Sequence, residues 1–317
     1  MKVGRLFTPL STAAVPLIYG LSHRALLRLG ATNHERRLAG IRAHYYAMPA
    51  RGEGNLPVLL LHGIADRAQT WSFVMRQLTA IGPVYALDLA GFGLSGFPPG
   101  QRYATIEQQT ALVQAMIREV IGRPTLIVGN SMGGWIAVRV ALATPELVAG
   151  IVLLAPGGAI LRGRESWEPF LQTIELPDGR TVRKVLRQMY GRPPLPLYVA
   201  GEGLRSIFRR DPVRQFVAAL DENALLRPED LRALRVPVAM IWGEDDYFIP
   251  RESRDFFCAN LPQARVVFLP RCGHMPQQQR PREVATFIRD FARELVVAST
   301  PQRTGGHETA TPSQSAI

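Results

Sequence analysis

At 317 residues the chain can bury a sizeable core, and one large α/β domain carrying an insertion fits its length. Hydrophobic residues make up 47% and charged residues 20%, a balance that excludes a disordered chain and a multi-spanning membrane protein. With only two cysteines no disulfide framework is expected, and Cys258 and Cys272 read as free thiols.

The net charge of +11 is concentrated at the front of the chain. Residues 1–52 hold Lys2, Arg5, Arg24, Arg28, Arg36, Arg37, Arg42 and Arg51 against the single acid Glu35. Residues 1–40 are read as a basic arm that either meets an anionic lipid surface or is simply solvated. Nucleic acid is not expected, because no binding motif accompanies the charge. Leu6 to Leu21 is mostly apolar, but Pro9 and Pro16 interrupt it and it falls short of the ~18–20 residues that span hydrocarbon. Within Ile18–Leu29 a helix would align Ile18, Leu21, Ala25 and Leu29, with Arg24 and Arg28 elsewhere; this suits an interfacial helix or one packed on the protein body. Cytoplasmic, peripheral-membrane and exported locations all stay open, as does the oligomeric state.

From there apolar, β-branched runs alternate with longer helical patterns, the order that makes a mainly parallel sheet flanked by helices. The strands are predicted at 58–61, 84–87, 125–128, 151–154, 238–242 and 266–269. The helices are predicted at 71–78, 106–121, 132–143, 251–259 and 282–295. Residues 41–158 and 235–297 thus form the core. The alternation stops between them: residues 159–234 carry several prolines, many arginines and no buried-type strand, over a span too long for a structureless loop. This segment is read as an inserted helical cap, with helices at 182–190 and 211–220 and with Phe170, Leu171, Tyr190, Leu195, Leu197, Tyr198, Phe208 and Phe216 as candidate pocket-lining residues. The polar tail 298–317 is expected to be disordered.

The sharpest signal is Gly129-Asn130-Ser131-Met132-Gly133 between an apolar strand and a helical pattern. A G-x-S-x-G at a strand-to-helix turn projects the serine hydroxyl above the sheet edge, beside the positive end of the helix. Serine needs a base to become a nucleophile at neutral pH. His23, His34 and His44 lie in the arm or an early strand and His307 in the tail, which leaves His62 and His274. His274 follows the last strand, at the sheet end where open α/β sheets bind ligands, so it is the candidate base and His62 is read as structural. A carboxylate should orient the histidine. The strand 238–242 runs into Glu244-Asp245-Asp246, and spacing does not separate Asp245 from Asp246. Neither a CxxC nor an HExxH pattern occurs, so no metal is implied, and no cofactor is called for.

Taken together with Leu61-His62-Gly63, Asp88-Leu89-Ala90-Gly91-Phe92-Gly93, Trp242-Gly243-Glu244-Asp245-Asp246 with Pro250, and Cys272-Gly273-His274, the elbow resembles the α/β-hydrolase fold superfamily from about His44 to Leu295. The resemblance implies that the acid is Asp246 and that the backbone N–H groups of Ile64 and Met132 form the oxyanion hole. It also implies that Asp88 anchors a turn without chemistry of its own. A serine at the elbow implies an acyl-serine intermediate. The leading expectation is a carboxylic-ester hydrolase similar to esterases and monoacylglycerol-lipase-like members, acting on a small acyl ester. The elbow and Cys-Gly-His also resemble the carbon–carbon bond hydrolases of aromatic degradation, although Ile64-Ala65-Asp66-Arg67 and Met275 depart from that group. A non-catalytic scaffold of the same fold is the third reading.

Overall fold

The computed structural model describes residues 8–161, 178–193, 197, 205, 208–209, 211–220 and 222–299. Helix α1 (Thr8–Arg28) precedes a hairpin of β1 (Thr32–Leu38) and β2 (Ile41–Met48). The strands β3 (Val58–Leu61), β4 (Val84–Leu87), β5 (Thr125–Asn130), β6 (Val148–Leu154), β7 (Val238–Gly243) and β8 (Arg265–Leu269) follow. They form one eight-stranded sheet in the order β1-β2-β4-β3-β5-β6-β7-β8. Only the β1–β2 and β2–β4 pairings are antiparallel. The architecture is the expected α/β fold.

The near-continuous apolar strands are explained by burial on both faces. Leu59, Leu61, Ile127 and Leu153 enter one core cluster; Leu60, Val128, Val152 and Ile241 enter the other. After α1 the described α-helices include α2 (Met75–Leu78), α3 (Ile106–Ala115), α4 (Met132–Ala143), α5 (Gly179–Tyr190), α6 (Asp211–Ala218), α7 (Pro228–Arg232), α8 (Arg251–Asn260), α9 (Pro276–Gln279) and α10 (Pro281–Ser299). Helix α3 starts at a capping box, in which Thr105 Oγ1 accepts from the Gln108 amide and Gln108 reaches back to the Thr105 amide.

Three expectations are corrected. The arm 1–40 is not all arm, since Thr32–Leu38 pairs with β2 and turns through Ala39 and Gly40, both at positive φ. Its polar sequence hid it: six of its seven residues are exposed, so an edge strand formed by pairing carries no apolar alternation. The helix predicted at 71–78 is broken into a 3-10 turn, Ala68–Trp71, and the single α-helical turn of α2. The helix predicted within 18–29 starts at Thr8 and is anchored by Leu26, which is fully buried, whereas Ile18, Leu21 and Ala25 are exposed.

Between β6 and β7 the described residues include α5, α6 and α7, and the ends of this segment meet in a bridge between Ala159 and Leu226. Phe170, Leu171, Leu195 and Tyr198 lie outside the described residues, as does the tail from 300 onward. No described helix is long and apolar enough to cross a membrane.

Candidate active site

Strand β5 delivers the chain into a tight turn in which Ser131 holds φ +54° and ψ −118°. That conformation is unfavourable for a residue with a side chain, costing of order 1–3 kcal/mol, and persists only where its surroundings enforce it. Here the Ser131 amide donates to the Leu154 carbonyl at 2.9 Å, and its own carbonyl accepts from the Gly134, Trp135 and Gly157 amides. Glycine is required on both sides for space: a Cβ on Gly129 would overlap the Gly133 carbonyl, and one on Gly133 would overlap the Leu61 carbonyl.

At the ends of β7 and β8 two loops meet. His274 Nδ1 lies 2.9 Å from Asp246 Oδ2, with the side chains 2% and 0% exposed. A carboxylate only accepts, so Nδ1 carries the ring proton and Nε2 is left with its lone pair. The other carboxylate oxygen, Oδ1, accepts from the Phe248 and Ile249 amides at 3.0 and 3.2 Å. Glu244 is exposed and Asp245 half-buried; neither bonds the imidazole. The histidine is further held by its amide, which donates to Met189 O at 2.6 Å.

Asn130, a residue that the sequence reading passed over, ties the His274 loop and the end of β6 to the elbow. Its Nδ2 donates to the carbonyls of Leu154 and His274, each at 3.1 Å, and its Oδ1 accepts from Gln277. The variable position of a G-x-S motif gave no signal for this, because its partners, two carbonyls and the Gln277 side chain, are distant in the chain.

Ser131 and His274 line one cavity of about 160 Å³ together with Gly63 and Ile64. The rest of its wall is mainly apolar, with Leu197 and Phe208 from the inserted segment, Phe248 and Met275 beside the histidine, and Ile18 and Tyr19 from α1. Of the candidate lining residues, Tyr190, Leu197 and Phe208 face this cavity, whereas Phe216 is packed in the core. The contribution of α1 was not anticipated. Tyr19 is held there by the Arg67 guanidinium, 3.5 Å above its ring, and His23 Nδ1 lies 2.7 Å from the Tyr46 hydroxyl. The amides of Ile64 and Met132 donate to no protein acceptor among the described residues, which leaves two N–H groups near the serine available to a bound oxygen.

His62 cannot serve as a base. Its Nδ1 donates to Gly63 O and its Nε2 accepts from the Leu89 amide, and complete burial depresses its pKa. Asp88 fixes the neighbouring loop by bonding His44 Nδ1 at 2.8 Å and the Ala68 and Leu94 amides. Burial alone would raise its pKa, but the His44 bond, the nearby His62 and those two amides together hold it below the usual value. Cys272 is buried, which pushes its thiol up to about 12, so no thiolate is available at neutral pH. Among the described residues no group of three or more His, Cys, Asp or Glu is placed to hold a metal ion.

A model of the alpha/beta hydrolase family matches residues 58–287. The chain belongs to that family. It is 28% identical to a pimeloyl-[acyl-carrier protein] methyl ester esterase of Nitrosomonas europaea, over 70% of this chain and 90% of that protein. It is 30% identical to a 2-hydroxy-6-oxononadienedioate/2-hydroxy-6-oxononatrienedioate hydrolase of Burkholderia vietnamiensis, over 80% of this chain and 91% of that one. The dihydrolipoyllysine-residue acetyltransferase component of an acetoin cleaving system from Pseudomonas putida is 28% identical, and the match spans 65% of its length and 77% of this chain. Among solved structures, a membrane phospholipase A superimposes with a TM-score of 0.76 at 24% identity, covering 90% of this chain and 93% of that one, a likeness of fold. The family, together with the esterase and the dioate hydrolase among these relatives, supports a hydrolase.

Proposed function

We propose that the protein is a serine hydrolase that cleaves carboxylic esters through an acyl-serine intermediate. Ser131 Oγ attacks the ester carbonyl while His274 Nε2 takes its proton; Asp246 holds the ring tautomer and stabilises the imidazolium. The N–H groups of Ile64 and Met132 receive the developing oxyanion. Collapse of the tetrahedral intermediate expels the alcohol, protonated by His274, and a water activated by the same ring then releases the acid. The described part of the inserted segment acts as a cap over this site, supplying part of the acyl wall through Leu197 and Phe208.

The observation that carries the reading is the buried Asp246–His274 hydrogen bond, in a ring that shares its cavity with a serine held at positive φ. A scaffold would have no reason to maintain all three. The acyl side of the substrate is inferred from the mainly apolar wall.

Carbon–carbon bond cleavage is the second reading, favoured by the 30% identical relative from Burkholderia vietnamiensis. Its substrates carry carboxylates, as the name of that relative states for a dioate. The described residues that line the cavity include no lysine or arginine but do include Asp66, whose carboxyl is held above the usual range by burial. A lining without a cation offers a dianion no counter-charge, which favours neutral esters.

The two readings separate in one assay. Wild type and Ser131→Ala are offered chromogenic short- and medium-chain esters and a vinylogous diketone acid. Ester turnover that Ser131→Ala abolishes supports the proposal; turnover of the diketone acid without ester turnover replaces it with the second reading.

A further inference from the structure

We propose that the outward face of α1 docks on an anionic lipid surface and brings the cavity mouth to it. Leu17, Leu21, Arg24 and Arg28 recur at the alternating four- and three-residue spacing of a single helix face, and all four are exposed. Leu17 and Leu21 are 64% and 55% exposed, and Ile18 and Leu27 are also exposed on the flanks of this face. The opposite side of the same helix is fixed to the protein: Leu26 is in the core, Tyr19 lies under Arg67, and His23 meets the Tyr46 hydroxyl. The helix therefore has a firm inner face and an exposed outer one, leucines toward its start and arginines toward its end, that no described residue covers.

Charge identifies the occupant. Leucines at one end of the face and arginines at the other match a helix lying in a membrane interface, with leucines in the acyl boundary and guanidinium groups at phosphates. Neither Arg24 nor Arg28 has an ion-pair partner among the described residues, and Glu35, the one acid of residues 1–52, is paired with Arg42 at 2.7 Å. A second helix on the cavity repeats the sign. Helix α5 contributes Met189 and Tyr190 to the cavity, while Arg180, Arg183, Lys184 and Arg187 stand exposed along its other side. None of these four cations is ion-paired among the described residues. An acidic protein partner would satisfy the arginines but would leave the exposed leucines in contact with charge, so a lipid surface is the better match.

Because Ile18 and Tyr19 sit between the outer leucines and the catalytic cavity, docking places the entrance where acyl chains are concentrated. That catalytic consequence rests on the ester reading above; the docking itself does not.

Co-sedimentation of the full chain with vesicles tests docking without any turnover. Vesicles rich in phosphatidylglycerol should bind it more tightly than phosphatidylcholine vesicles, and 0.5 M salt should remove the difference, an expected consequence of screening at roughly 0.5 M. Arg24→Gln with Arg28→Gln should weaken binding about fivefold per charge. Leu17→Asp with Leu21→Asp should weaken it at least about tenfold, from the loss of two buried leucines, with circular dichroism unchanged. Wild type that does not sediment, equal binding to both vesicle types at low salt, or a leucine variant that binds like wild type overturns the proposal. A dimer in sedimentation velocity that the leucine substitutions dissociate, with no vesicle binding, assigns the face to a second copy of the chain and likewise overturns it.

Discussion

Asp246→Asn isolates the orienting step. In the folded protein Oδ1 of Asp246 is engaged by two amides that need an acceptor, so the oxygen of an asparagine stays with the Phe248 and Ile249 N–H groups. Its NH₂ is then turned toward His274, where the wild type has the accepting Oδ2 at 2.9 Å. The ring answers by moving its proton to Nε2, which leaves that nitrogen a donor and unable to accept from Ser131. A tautomer held the wrong way in such a triad lowers kcat on the order of 10⁴-fold, roughly 5.5 kcal/mol of transition-state stabilisation. The Asp246 side chain does not line the cavity, so KM should change by less than about threefold. Steady-state hydrolysis of a chromogenic ester measures both constants, with Asp245→Asn as the control expected to stay within about twofold, because its side chain does not bond the ring. A kcat for Asp246→Asn within about tenfold of wild type would refute the assignment of the acid.

Three further outcomes follow from the same geometry. Asp88→Ala strands the Ala68 and Leu94 amides and His44, and should cost about 3–5 kcal/mol in urea denaturation. The carboxyl of Asp88 titrates below its unfolded value, so its contribution is present above about pH 3.9 and is lost as pH falls through the folded value; the gap between variant and wild type should close in that acid range, and a pH-independent gap would contradict the anchor. Gly133→Ala forces a Cβ into the Leu61 carbonyl and should cost about 1–3 kcal/mol of stability, with kcat reduced on the order of 10²-fold as the elbow shifts; a fully active variant of normal stability would be inconsistent with the packing. With Asp66→Asn, the preference for neutral over anionic esters, read as a ratio of kcat/KM values, should fall about tenfold above the raised pKa of Asp66 and lose its pH dependence; an unchanged ratio removes Asp66 from specificity.

Much of this was legible because buried parallel strands announce themselves. The six parallel strands were predicted within a few residues, since runs such as Val58–Leu61 and Val238–Gly243 are apolar on both faces. Helix α4 was predicted at its observed bounds, because the elbow fixes where it must begin. What was missed depends on pairing rather than composition. Strand β1 is polar and exposed and exists through its ladder to β2. Asn130 matters through two backbone carbonyls, neither visible in a motif. Tyr19 reaches the cavity because α1 folds back over Arg67, a long-range contact that helical periodicity does not report. The choice among Glu244, Asp245 and Asp246, open on spacing alone, turns on which carboxylate is buried against an imidazole.

The central claim concerns the reactivity of one hydroxyl. Incubating the folded protein with a fluorophosphonate and mapping the adduct by mass spectrometry should give a single label on Ser131, absent in Ser131→Ala and formed far more slowly in His274→Ala. A folded wild type that takes no label, or one whose label survives in Ser131→Ala, would contradict the account.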